Sequence, residues 1–243
     1  MSTGLLLKLP AEAGREHICI LQLNRPERAN AYNNALLESL LAAMQEIKSQ
    51  PALRALLICG AGERSFCAGA DRQELKGRCF KDGIELLSRV VFDQLAELPI
   101  PTVACINGAA VGGGLELALA CDLRVCSPGA IFALPELSLG LTPAAGGIRR
   151  LPPLIGLGRA KEMILFQHRL GAFQACNWGL VTYAGEDYRS YAMALTEQAA
   201  MLDPMALRLA KKLLDAETHS MQREFEAFTQ AFLYERNFRR VNS

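Results

Sequence analysis

Histidine is scarce in this chain, and the few histidines that occur are far apart. The three residues, His17, His168 and His219, show no H-E-x-x-H spacing, which would place two imidazoles around a metal ion. Eight cysteines are present, but none form a C-x-x-C pair, and several lie within apolar segments typical of reduced core thiols. The sequence therefore does not support a metal site, a disulfide framework or a histidine-based catalytic triad.

An excess of one charge and long apolar runs are also missing. The 26 Lys and Arg residues balance 25 Asp and Glu, so the net charge of +1 does not indicate binding to nucleic acid or to a membrane surface. No segment reaches the roughly eighteen apolar residues of a membrane-spanning helix. Residues 1–13 resemble neither a signal peptide nor a mitochondrial presequence, so a cytoplasmic protein is expected.

Enough apolar sequence is present for a large core. Of the 243 residues, 51% are hydrophobic, which suits one large domain or one domain with a helical appendage. Apolar patterning predicts alternating strands and helices, and therefore an α/β layered core with parallel strand pairing. Strands are expected at residues 5–9, 18–23, 55–59, 103–106, 123–126 and 131–134. Helices are expected at residues 34–50, 84–98 and after Gly114. The chain beyond about residue 155 is predicted to be helical, with Asp203 as an N-cap followed by Pro204 at the first helical position.

The most distinctive segment, residues 107–122, places three adjacent glycines before an acidic residue. Glycine lets a ligand approach the backbone closely, and free N–H groups at the start of a helix can bind a polarised oxygen. The segment therefore predicts a strand-to-helix turn that holds an oxyanion, with Glu116 in the first turn of the helix. The alternative is close helix-strand packing in which Glu116 only interacts favourably with the helix dipole.

A second acidic residue, Glu136, follows the apolar segment 132–134 and precedes a run rich in glycine and proline. It is predicted to close a strand and open a loop, a position that often carries catalytic residues. Two carboxyl groups in similar contexts suit general acid and base catalysis on one water molecule. For Glu136 alone, a solvated turn residue is the alternative.

Four motifs, in this order, resemble the enoyl-CoA hydratase/isomerase (crotonase) superfamily. They are L-N-R-P through N-A at residues 23–31, S-F-C-A-G-A-D at 65–71, the glycine-glutamate segment, and P-E through R-L at 135–151. The resemblance implies an α/β ββα superhelix of the ClpP/crotonase type in residues 1–195. A C-terminal helical oligomerisation region is implied for residues 196–243. A homotrimer or a dimer of trimers is expected, as is usual in this family.

The resemblance also implies roles for individual residues. Both glutamate positions of the family hold glutamate here, which favours hydration of a trans-2-enoyl-CoA over isomerisation, without a metal or a redox cofactor. The N–H groups of Ala70 and Gly113 would bind the thioester oxygen. Glu116 would deprotonate the water that attacks C3, and Glu136 would deliver a proton to C2. The implied CoA-contacting positions are Ala29, Ala68, Gly69, Asp71, Arg72 and Gln73.

Three positions depart from the family pattern. The sequence stops at Ser243, where typical members continue with a helix that helps to close the acyl-CoA site, so a truncated C-terminal region is expected. Ala144 replaces a common glycine beside the catalytic water, and Arg72 could substitute for the basic residue that usually follows one position later. Double-bond isomerisation, another reaction of an acyl thioester, and acyl-CoA binding without turnover stay open as alternatives.

Overall fold

The computed structural model describes residues 4–8, 15–75 and 85–215, which form two sheets surrounded by helices. The six-stranded sheet has the order β1-β2-β3-β5-β7-β10, and the four-stranded sheet has the order β4-β6-β8-β9. The strands of the larger sheet are β1 (Leu5–Lys8), β2 (Ile18–Leu23), β3 (Ala55–Gly60), β5 (Thr102–Ile106), β7 (Leu123–Cys126) and β10 (Tyr183–Ala184). Those of the smaller sheet are β4 (Ser65–Cys67), β6 (Ala109–Val111), β8 (Ile131–Ala133) and β9 (Leu170–Gly171).

Helices follow the strand pairs and cover the sheets. The helices are α1 (Asn34–Ser49), α2 (Arg72–Leu75), α3 (Leu87–Ala96), α4 (Gly113–Leu119), α5 (Gly147–Ile155), α6 (Leu157–Leu165), α7 (Ala172–Trp178), α8 (Tyr188–Ala200) and α9 (Pro204–Leu214). Short 3-10 helices span Pro26–Arg28 and Glu136–Leu139. From β3 to β8 the chain repeats a unit three times, in which one strand enters the larger sheet, the next enters the smaller sheet, and a helix follows.

Most strand pairs are parallel, as the alternating pattern predicts. From β2 to β10 the larger sheet is parallel, whereas β1 pairs antiparallel with β2. Successive residues of a strand point to opposite faces. Accordingly, Ile58 packs in the main core between the layers, while its neighbour Leu57 packs against α8 on the other face. Burial of both faces explains why β3 and β5 are apolar almost throughout.

Several predicted bounds are confirmed and some are wrong. The strands at 18–23 and 123–126 have the predicted limits. Asp203 caps α9, since its Oδ1 accepts hydrogen bonds from the N–H groups of Met205 at 3.0 Å and Ala206 at 2.8 Å. The prediction that the chain beyond residue 155 is only helical is wrong, because β9 and β10 complete the two sheets there. Strands β9 and β10 have two residues each, which is too few for an alternating hydrophobic pattern to be recognised in the sequence.

Some predictions fall outside the described residues. These include residue 9 of the strand at 5–9, residue 84 of the helix at 84–98, and most of the C-terminal helical region, since the description ends at residue 215. Within the described residues the helix predicted at 84–98 is too long, because α3 begins at Leu87 and ends at Ala96. Within the described ranges, no helix is long and apolar enough to cross a membrane.

Close packing between α4 and β4 positions the site. A Cβ atom on Gly114 would lie 1.9 Å from the carbonyl oxygen of Cys67, and one on Gly113 would lie 2.1 Å from the Tyr32 hydroxyl. A side chain at Gly114 would therefore clash with the backbone of Cys67, and one at Gly113 would displace the Tyr32 ring. The first turn of α4 is therefore held directly against the turn that follows β4.

Candidate active site

A cavity of about 430 Å³ lies where the start of α4 meets the turn after β4. Its walls include Tyr32, Leu86, Val111 and Leu141, so it is largely apolar. Among the predicted site residues, the cavity is lined by Ala68, Gly69, Ala70, Arg72, Gly113, Glu116 and Glu136. Motifs separated by up to about seventy residues in the sequence thus meet at one place.

The two predicted oxyanion-binding residues, Ala70 and Gly113, both line this cavity. Tyr32 and Ala70 form an isolated parallel β-bridge. The N–H of Tyr32 donates to Gly69 O at 2.9 Å, and its carbonyl accepts from Asp71 N at 2.8 Å. In such a parallel bridge the bonds flank Ala70, so the N–H of Ala70 points away from Tyr32. Gly113 is the first residue of α4, where an N–H has no acceptor within the helix. A Cβ on Gly69 would lie 3.2 Å from Gly113 N, which shows that the two segments are adjacent.

Glu116 lies on α4 and is almost completely buried, with 3% of its surface exposed. Its Oε1 accepts hydrogen bonds from the N–H groups of Ala145 and Gly147, both at 2.8 Å. Burial has the largest effect and raises the pKa of this carboxyl overall, while the two N–H donors and the positive charge of Arg150 lower it and so offset part of that rise. The carboxyl is therefore fixed in orientation, and its ionised form is stabilised by donors directed at one oxygen.

Glu136 has a different environment from that of Glu116. Both of its carboxyl oxygens are buried and lack a hydrogen-bond partner within the described residues. Burial raises its pKa to about 7, and the negative charge of Glu116 contributes in the same direction. A Cβ on Gly112 would lie 3.1 Å from Glu136 Oε1, so this carboxyl lies over the start of α4. Two acids with different surroundings can hold different protonation states at neutral pH.

The local structure at Glu136 corrects one prediction. Strand β8 ends at Ala133, and Glu136 begins a 3-10 helix rather than closing the strand. Leu134 and Pro135 separate the two elements, and Pro135 also lines the cavity. The prediction that a loop region follows the strand and carries the acid nonetheless agrees with this arrangement.

Three predicted residues lie beside the cavity rather than in its wall. Ala29 has a left-handed backbone with φ of 52°, and its carbonyl accepts from Ala68 N at 3.1 Å. Asp71 accepts hydrogen bonds from Arg25 Nη2 at 3.2 Å and from Gln73 N at 3.1 Å. These contacts shape the turn at 68–73, and the CoA contacts expected of Ala29, Asp71 and Gln73 stay predictions.

Other residues of the site were not identified from the sequence. Tyr32 contributes both to the bridge beside Ala70 and to the cavity wall. Ala145 and Gly147 belong to the fourth motif, but nothing local indicates that their N–H groups are directed at Glu116. Within the ranges that the structure describes, no three His, Cys, Asp or Glu side chains are grouped so that they could hold a metal ion.

The fold defines an α/β protein of the crotonase class, and one cavity is lined by both Glu116 and Glu136. The sequence profile described as "Enoyl-CoA hydratase/isomerase" matches residues 13–239, and the chain belongs to this family.

Relatives with known names agree with this assignment. YngF of Bacillus subtilis, which is provisionally named an enoyl-CoA hydratase/isomerase, is 43% identical over 201 residues that cover 81% of this chain and 77% of that protein. The short-chain-enoyl-CoA hydratase of Clostridium acetobutylicum is 35% identical over 225 residues, covering 88% and 86%. The crystal structure of an enoyl-CoA hydratase from Bacillus anthracis superposes with a TM-score of 0.87 at 34% identity, covering 94% and 90% of the two chains.

Proposed function

We propose that this protein is an enoyl-CoA hydratase, which adds water reversibly and in syn fashion across the 2,3 double bond of a trans-2-enoyl-CoA. The observation that supports this most is the pair of acids in one cavity. Glu116 has an oriented carboxyl that accepts two backbone N–H bonds, and Glu136 has an unpartnered carboxyl whose pKa is about 7. An isomerase that only moves a proton needs one such group, whereas hydration uses two.

The backbone donors suit the charge that develops during this reaction. Attack of water at C3 shifts electrons toward the thioester oxygen, which becomes enolate-like. The N–H groups of Ala70 and Gly113 would bind that oxygen. One preorganised donor of this kind contributes about 3 kcal/mol to the transition state. Because the donors belong to the backbone, alanine and glycine are sufficient at these positions.

The two carboxyl groups would carry the protons. Glu116, in its ionised form, accepts a proton from water as the oxygen bonds to C3. Glu136, in its neutral form, donates a proton to C2 as the electron pair of the double bond reaches that carbon. This assignment follows the environments of the two acids, because hydrogen-bond donors stabilise charge on Glu116 and burial without a partner favours the neutral form of Glu136. The scheme uses no metal or redox cofactor.

Hydration of crotonyl-CoA by the purified protein tests this proposal. We expect loss of the conjugated enoyl-thioester absorbance, together with a product heavier by one water molecule in mass spectrometry. A 3-enoyl-CoA supplied separately would reveal an isomerase, since conjugated absorbance would appear without a change in mass. Tight calorimetric binding of a non-reactive acyl-CoA, with no product from either substrate after prolonged incubation, would contradict the proposal and favour a non-catalytic binder.

We also propose that the protein self-associates, as a trimer or a dimer of trimers. Helices α5 and α6 are packed together, and Arg159 of α6 stacks over Trp178 of α7, so these helices are neighbours. They carry exposed apolar side chains, namely Ile148, Leu157, Leu165, Phe166 and Phe173. Light scattering after size-exclusion chromatography should give three or six times the chain mass of 26.5 kDa. A monomer at micromolar concentration would contradict this expectation.

A cytoplasmic location stays a prediction.

A further inference from the structure

Arg150 makes a group of contacts just behind the candidate active site. It lies in the first turn of α5, and 13% of its side chain is exposed. Its Nη1 donates to Ala145 O at 3.1 Å, and its Nη2 donates to Phe92 O at 3.3 Å and forms an ion pair with Asp93. The guanidinium therefore connects α3 to the turn that precedes α5.

The same turn binds Glu116. Ala145 receives a hydrogen bond from Arg150 at its carbonyl and donates one to Glu116 through its N–H, and Gly147 donates the second. Between them, Gly146 adopts a positive φ of 117°, and a Cβ there would lie 1.9 Å from Arg150 Nη1. The guanidinium thus packs directly on the middle residue of the turn, and a side chain there would displace it.

We propose that Arg150 is a positioning residue for Glu116, because it holds the 145–147 turn in the conformation that directs both N–H groups at one carboxylate oxygen. This inference rests on the proposed function of Glu116 as the base that activates water. Arg150 acts through the turn and through its charge, without contacting substrate. Asp93 in turn orients Arg150 from α3.

The electrostatic part of this role has a definite sign. The positive charge of Arg150 lowers the pKa of Glu116, against the effect of burial. Removing that charge also leaves Asp93 without this counter-ion, so both changes raise the pKa of Glu116. The elements packed against α4 carry the titratable or charged residues Arg89 and Asp93 on α3, Arg149 and Arg150 on α5, and Cys67 on β4. Tyr32, Arg72 and Glu136 line the same cavity as Glu116. With Glu116 as the base, the acid limb of the kcat profile must then move to higher pH.

The variant Arg150→Met tests this, with Arg149→Met as the matched control. Arg149 is the preceding residue on the same helix and also pairs with Asp93, but 58% of its side chain is exposed. For R150M we expect kcat for crotonyl-CoA to fall about 100-fold, as for a misplaced catalytic group, with little change in KM and an acid limb at higher pH. R149M should keep the wild-type profile. R150K keeps the positive charge but cannot bind Ala145 O and Phe92 O with two separate nitrogens. We therefore expect a lower kcat with little shift in the acid limb of its pH profile.

Several results would overturn the inference. One is a folded R150M protein with wild-type kcat and an unmoved acid limb, and another is an equal shift in R149M. If R150M does not fold, wild-type kcat in a folded R150K protein would count against the inference in the same way. If the wild type hydrates no enoyl-CoA, the proposed function fails separately. The charge effect can then be followed by ¹³C NMR titration of the Glu116 carboxyl, assigned with E116Q, and an unchanged pKa in R150M would contradict it.

Discussion

Replacement of Glu116 by glutamine is expected to lower kcat for crotonyl-CoA hydration by about 10³-fold, because general base catalysis by a positioned side chain contributes about 10²–10⁴-fold. Glutamine has nearly the same shape, and its amide oxygen can still accept from Ala145 N and Gly147 N. The fold and the cavity should therefore survive, while the capacity to take a proton from water is lost.

Two measurements separate chemistry from binding in E116Q. Initial rates from the enoyl-thioester absorbance give kcat and KM, and calorimetry with a non-reactive acyl-CoA gives the affinity, which should change less than threefold, as roughly expected when ground-state contacts are kept. Glu38, exposed on α1, provides a matched Glu→Gln control with wild-type rates. If E116Q kept more than roughly a tenth of the wild-type kcat, Glu116 would not be the base.

Replacement of Glu136 by glutamine is expected to lower kcat by about 10²–10³-fold and to change the pH profile. Glu136 must be neutral to donate a proton to C2, and its pKa is about 7. The wild-type rate should therefore decline above neutral pH, because the donating form is progressively lost. In E136Q the residual rate should lack this alkaline limb. Full hydration activity in E136Q would exclude the proposed role of Glu136.

The same residue should affect stability in a pH-dependent manner that needs no substrate. Burial raises the pKa of Glu136 to about 7 in the folded protein, above its value in the unfolded chain. Below about pH 4.5 the carboxyl is neutral in both states, so burial of this group costs little. As pH rises from about 4.5 to 7, ionisation favours the unfolded chain, and the free energy of unfolding decreases. E136Q removes this loss. Relative to the wild type, E136Q should thus gain about 3 kcal/mol more in free energy of unfolding at pH 8 than at pH 4, since the pKa rises from 4.5 to about 7 and each pKa unit corresponds to about 1.4 kcal/mol. Urea unfolding at the two pH values measures this, and equal differences would show that Glu136 is not penalised by burial.

Much of the layered architecture follows from local pattern. The apolar strands β2 and β7 have the limits that hydrophobicity predicts, and the capping residue Asp203 starts α9 where its side chain can accept from the first free N–H groups. The short strands β4, β6, β9 and β10 were not predicted. Segments of two or three residues are strands only because a neighbouring strand pairs with them, and no period can be read from so few positions.

The sequence by itself determined the candidate site residues, namely two glutamates at motif positions, a glycine run before a helix, and the turn around Ala70. Only the tertiary structure decided how they meet. The bridge between Tyr32 and Ala70 and the N–H bonds from the 145–147 turn to Glu116 join segments about 30 to 40 residues apart, and the ion pair of Arg150 with Asp93 joins residues 57 apart. The physical reason is that such contacts depend on packing between α4, α5 and β4, and the environments that distinguish the two acids arise from burial, which no local pattern encodes.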